Sequence, residues 1–121
     1  MNGKIKNAKI TDVSLTMGEH GCLTYWLSLN FSGCGCGYGG YCLGHGYLGA
    51  KEFDATSKGL VAMMRIMDVV GVERWEDMEG KYVRIVDNGL GSPVDTIGNI
   101  IEEKWFNQRE FFAKPEATNE D

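Results

Sequence analysis

Hydrophobic and polar positions alternate in two runs near the N-terminus. Within residues 4–17, Val13, Leu15 and Met17 alternate with Asp12, Ser14 and Thr16, the two-residue period of a half-buried strand. Ile5 and Ile10 fall out of that phase, which predicts a bulge or break near Thr11. Gly18-Glu19-His20-Gly21 supplies turn chemistry. Leu23, Tyr25, Leu27, Leu29 and Phe31 then share one face, with Thr24, Trp26, Ser28 and Asn30 on the other. Two such runs around a short glycine-bearing loop predict an antiparallel hairpin. From Ala55 to Val70 the period lengthens. Leu60, Met63, Met64, Met67 and Val70 fall on one face of a helix, with the methionines as core filler. Asp54, Thr56 or Ser57 caps its start, and Gly71 suits its left-handed stop. Trp75–Gly80 reads as a short helical turn. Strands follow at Tyr82–Val86 and Val94–Ile101, around turn signals at Asn88-Gly89 and Gly91-Ser92-Pro93. Trp105, Phe106, Phe111 and Phe112 form an aromatic cluster, placed on a short C-terminal helix that closes the core.

This order predicts an α+β fold, β-β-α-β-β: a four-stranded, mostly antiparallel sheet with one long helix packed on one face. Residues 1–113 read as a single domain with a Gly/Cys-rich loop at 33–49, and residues 114–121 as an acidic, disordered tail.

Composition narrows the functional classes. The 121 residues carry a net charge of −5, which argues against direct nucleic-acid binding and suits docking onto a basic partner. No stretch approaches the roughly 18–20 apolar residues of a membrane span. The lysines near the N-terminus precede no apolar run, so no signal peptide is expected. A soluble cytoplasmic protein is the expectation, with Cys22, Cys34, Cys36 and Cys42 reduced.

Gly33–Gly49 holds eight glycines, three cysteines, three tyrosines, two leucines and one histidine, and no Asp, Glu, Lys or Arg occurs from His20 to Ala50. Ordering so much glycine is entropically costly, so such a segment implies close backbone approach, several positive φ angles, or cover by another subunit. Four chemistries compete. In the first, Gly35, Gly37, Gly39 and Gly40 form an anion-binding nest with Tyr38, Tyr41 or Tyr47 stacking on a base, and Arg65 or Arg84 supplies positive charge. Two matches to G-x-G-x-x-G occur, at Gly35–Gly40 and Gly44–Gly49. Neither opens into a helix, so a dinucleotide fold or P-loop is not expected. In the second, Cys34, Cys36, Cys42 and His45 bind tetrahedral zinc, with Cys22 or His20 as a substitute ligand. In the third, a cysteine pairs with His20 or His45 as a nucleophile, oriented by Glu19, Glu52 or Asp54. In the fourth, glycine and tyrosine form a contact surface against the sheet or a second subunit. The carboxylates Glu73, Glu76, Asp77 and Glu79 around Trp75 read as a solvated turn.

Four stretches carry a resemblance: Glu19-His-Gly-Cys-Leu-Thr-Tyr-Trp-Leu, Gly35-x-Gly-Tyr-Gly-Gly-Tyr-Cys-Leu-Gly, Val70-Gly-Val-Glu-Arg-Trp-Glu-Asp-Met-Glu-Gly-Lys-Tyr-Val-Arg and Ile97-Gly-Asn-Ile-Ile-Glu-Glu-Lys-Trp-Phe. Together they resemble a family of small phage- and prophage-encoded proteins, up to about Phe112. The resemblance implies a non-enzymatic, homo-oligomeric accessory protein that counters host immunity. In its sharpest form the protein is a sponge for a nucleotide immune signal, bound at an oligomer interface by Gly35–Gly40, Tyr38 and Tyr41 with Arg65 or Arg84. The alternatives are an inhibitor that binds a host defence protein through the acidic surface around Trp75, as anti-CRISPR proteins do, and a zinc-stabilised interaction module.

Overall fold

The alternating runs pair as expected. Strands β1 (Lys4–Met17) and β2 (Cys22–Phe31) form an antiparallel hairpin whose register shifts between Ile10 and Asp12. That shift brings Ala8 and Ile10 into the core beside Tyr25, Leu27 and Leu29. The structure is a computed structural model that describes residues 3–18, 21–46, 49, 51–89 and 92–114. Glu19, His20, Tyr47 and the tail beyond Lys114 lie outside the described residues.

The sheet is larger than the sequence pattern predicts. Eight strands, not four, form one antiparallel sheet, and the β-β-α-β-β expectation is corrected accordingly. After β1 and β2 come β3 (Cys34–Gly39), β4 (Gly44–His45), β5 (Asp54–Ala55), β6 (Tyr82–Asp87), β7 (Thr96–Gly98) and β8 (Trp105–Asn107). The order across the sheet is β5-β4-β2-β1-β6-β7-β8, with β3 also paired to β2. Beyond the short β5, which pairs with β4, two differences account for the change. The Gly/Cys-rich segment is strand rather than loop, and the predicted strand Val94–Ile101 shortens to β7 because Asn99 turns the chain. Its side-chain carbonyl accepts from the N–H groups of Ile101 and Glu102, and the chain returns as β8.

Helix α1 (Ser57–Val70) begins where Thr56 Oγ1 accepts the Gly59 N–H at 3.0 Å. It ends where Gly71, at φ 92°, lets its N–H and that of Val72 reach the Met67 carbonyl. Its buried face is rotated from the predicted one: of the predicted residues, Met63, Met67 and Val70 pack half-buried against the core. Gly59, Ala62, Ile66 and Val69 face the sheet, whereas Leu60 and Met64 are 61% and 66% exposed. Close approach is the reason: a Cβ on Gly59 would lie 2.9 Å from Leu43 Cβ. A short 3₁₀ turn (Trp75–Met78) buries Met78, and α2 (Gln108–Ala113) follows β8 directly. No described helix is long and apolar enough to cross a membrane.

Two tyrosine hydroxyls tie the β2–β3 half of the sheet to its C-terminal end. Tyr25 donates to Gln108 Oε1 at 2.7 Å, and Tyr38 donates to the Phe106 carbonyl at 3.0 Å. Both rings are fully buried, and burial raises both phenol pKa values, so each hydroxyl keeps its proton and donates. Tyr25→Phe strands the buried Gln108 carbonyl oxygen. Urea denaturation is expected to show a loss of about 1–3 kcal/mol with an unchanged fold by circular dichroism.

Candidate metal centre

The strand opposite β2 is interrupted, and the interruption builds the site. β3 pairs with β2 from Phe31–Cys34 to Trp26–Gly39, and β4 resumes at Leu23–Gly44 and Cys22–His45. Between those points β2 advances three residues while its partner advances five. The excess residues bulge out at 40–43, a device that re-aims side chains. Glycine permits it: Gly39 and Gly40 have φ of 142° and 92°, and a Cβ on Gly39 would overlap the Tyr25 carbonyl oxygen.

The bulge brings Cys42 back over the end of the sheet. Cys22 and His45 are already direct cross-strand neighbours. One ligand atom each from Cys22, Cys42 and His45 lies within 4.8 Å of the other two. Cys42 Sγ is 3.6 Å from His45 Nε2 and donates to the Gly44 carbonyl at 3.2 Å. Zinc bonds of about 2.3 Å to sulfur and 2.0–2.1 Å to nitrogen give a tetrahedral S···N edge of about 3.6 Å. The cysteine–histidine edge therefore already has the length a zinc ion requires. Cys22 is half-buried, and Cys42 and His45 are exposed. The Cys22 thiol is pushed above its ordinary pKa, first by its hydrogen bond with Cys42, then by burial and by the repulsion of a second thiolate. His45 also lines an apolar cleft of about 230 Å³ with Met17, Leu23 and Phe53.

Two of the cysteines expected in a zinc set lie elsewhere. Cys34 pairs with Phe31, nine residues along β2 from Cys22, and Cys36 pairs with Leu29, seven residues along. At the rise of a strand these are separations of about 30 and 23 Å. Cys34 is exposed beside the β2–β3 turn, and Cys36 is half-buried against the core, where burial raises its thiol pKa. Cys42 and His45 are brought together, with Cys22 as the third donor. His20 is outside the described residues.

No family model matches the chain, and no curated protein or solved structure matches it.

The groups expected to hold a nucleotide are dispersed and already engaged. Tyr38 is buried, with its hydroxyl on the Phe106 carbonyl. Tyr41 stacks on Phe112 with ring centroids 4.5 Å apart. The Trp26 ring covers the glycine side of β3, so a Cβ on Gly37 or Gly40 would meet it at 3.0 or 2.8 Å. At Gly35 a Cβ would meet only the Leu29 carbonyl oxygen, at an ordinary 3.8 Å. The Arg65 guanidinium on α1 lies 4.8 Å over Phe106. Arg84 bonds the carbonyls of Asn99 and Glu102 and the Glu103 carboxylate while lying 4.5 Å over Trp105. It sits on β6, three strand spacings or about 14 Å across the sheet from β3. In the acidic turn, the Trp75 ring meets Tyr25 edge-on at 5.8 Å, so the indole is used inside the fold. Glu73, Glu76, Asp77 and Glu79 line an open hollow with Lys81.

Proposed function

We propose that this chain is a binding protein whose sheet end is clasped by one zinc ion, held by Cys22 Sγ, Cys42 Sγ and His45 Nε2, with the fourth position left for water or a donor from a partner. The observation that carries the proposal is the convergence of these three donors within 4.8 Å where the 40–43 bulge meets the end of β2. Two thiolates and an imidazole form a soft-to-borderline set suited to zinc rather than to magnesium or calcium. The apolar cleft that shares His45 gives a partner an aliphatic foothold beside the metal. The binding role is the one implied by the resemblance to phage- and prophage-encoded proteins. The internal engagement of Tyr38, Tyr41 and Arg84 favours the zinc module over the nucleotide sponge.

Cobalt titration under reducing conditions tests this. The wild-type chain, Cys34→Ser and Cys36→Ser are expected to develop thiolate-to-cobalt charge-transfer absorption, and Cys22→Ser and Cys42→Ser to lose most of it. A wild-type chain that stays colourless contradicts the proposal. The pH dependence has a fixed sign. The raised Cys22 pKa means that the metal-free thiol holds its proton at neutral pH, so binding displaces it. Apparent affinity is expected to fall about tenfold per pH unit for each thiol proton displaced as pH is lowered.

A further inference from the structure

The metal centre occupies one half of the strand opposite β2, and the other half is an open edge. β5 covers the outer side of β4, but β3 is paired only to β2 among the described strands. The Gly40 N–H bonds the Tyr25 carbonyl, which sets the phase of the β2–β3 ladder. In an antiparallel ladder of that phase, Cys34, Cys36 and Tyr38 exchange hydrogen bonds with β2. Gly35, Gly37 and Gly39 turn their N–H and C=O groups outward.

Natural edge strands are blunted by charge, proline or shortness. β5 has two residues, one of them Asp54, and β8 has three and runs straight into α2. β3 has six residues, with neither charge nor proline. It lies inside the stretch from His20 to Ala50, which holds no Asp, Glu, Lys or Arg in a chain of net charge −5.

We infer that β3 is a self-association edge and that its occupant is β3 of a second copy of this chain, antiparallel across a two-fold axis at Cys36. Charge selects that partner: an acidic protein meets its own copy with least repulsion along its one long uncharged segment. Symmetry supports the same choice. An antiparallel pair of identical strands closes as a dimer and leaves neither β3 edge free. In this register Gly35 of each copy exchanges both backbone hydrogen bonds with Gly37 of the other. The glycines leave the seam clear of side chains on the outer face except for the Trp26 rings, which lie over Gly37 and flank the joint. The inference is independent of zinc, because the seam and the metal centre occupy opposite ends of β2.

Sedimentation over a dilution series, with and without zinc, tests the inference on wild type and Gly35→Pro. The Gly35 N–H points away from β2, so proline removes an edge donor while leaving the β2–β3 ladder intact. Wild type is expected to be a dimer that dissociates on dilution under both conditions. Gly35→Pro is expected to weaken the dimer by about a hundredfold or more. Amide hydrogen exchange on the wild type gives a second readout that does not depend on the variant folding. Gly35 and Gly37 should be protected in the dimer and exchange rapidly in the diluted monomer. A monomer at every concentration overturns the inference, as does a dimer in which these two amides stay unprotected. A dimer that requires zinc and survives Gly35→Pro overturns it in favour of a metal-bridged contact.

Discussion

Gly39→Ala is expected to lower the free energy of unfolding by about 3–5 kcal/mol, whereas Gly35→Ala on the same strand lowers it by no more than about 0.5 kcal/mol. Two effects combine at Gly39. Its φ of 142° lies where side chains are rarely tolerated, and a Cβ there would overlap the carbonyl oxygen of Tyr25 in the neighbouring strand. The obstacle is backbone, not a side chain that can rotate aside. Relief would require β2 and β3 to separate at the point where Tyr25 and Tyr38 send their hydroxyls across the core. At Gly35 the nearest atom to a new Cβ, Leu29 O, lies at 3.8 Å, an ordinary contact. Chemical denaturation of the two variants measures the difference. Equal effects would mean that the glycines serve a common purpose, as a phosphate-binding nest would require, rather than separate structural ones.

Excess zinc is expected to stabilise the wild-type chain by about 4 kcal/mol at a thousandfold excess over the dissociation constant, roughly 15 °C in melting temperature for a domain of this size. The gain comes from binding the folded chain alone. In the unfolded chain Cys22 is 20 residues from Cys42 and 23 from His45, and nothing holds the three donors together. Folding supplies the geometry through the β2–β4 pairing and the 40–43 bulge, so binding energy becomes folding energy. Replacing any one of Cys22, Cys42 or His45 is expected to abolish most of the shift, and replacing Cys34 or Cys36 to leave it intact. Differential scanning calorimetry with a chelator control measures this directly.

The legible parts of this fold were those encoded locally. The β1–β2 hairpin, the irregularity near Thr11, the Thr56 cap and the Gly71 stop each depend on residues within a few positions of one another. β3 was hidden by composition. Its period of two is present, with Gly35, Gly37 and Gly39 alternating against Cys34, Cys36 and Tyr38. Glycine normally marks a break in a strand, and here a neighbouring Trp26 supplies the surface that the glycines lack. The face of α1 is legible in part: Met63, Met67 and Val70 pack against the core, but Leu60 and Met64 outweigh Gly59 and Ala62 in hydrophobicity while the sheet selects for small size.

The candidate metal-binding group was half legible. Of the expected four-ligand set Cys34, Cys36, Cys42 and His45, two come together, and Cys22 entered only as a substitute. Its position opposite His45 follows from a two-residue offset in register, which no local spacing records. Cys34 and Cys36 lie close to Cys42 in sequence, but the strand that leads away from the bulge carries them to the far end of β2.

X-ray absorption at the zinc edge of the zinc-loaded protein tests the ligand assignment most directly. Two sulfur scatterers at about 2.3 Å and one imidazole nitrogen at about 2.0 Å, completed by one light atom, are the expected first shell. A shell of only nitrogen and oxygen, or one with three or four sulfurs, would contradict a centre built from Cys22, Cys42 and His45.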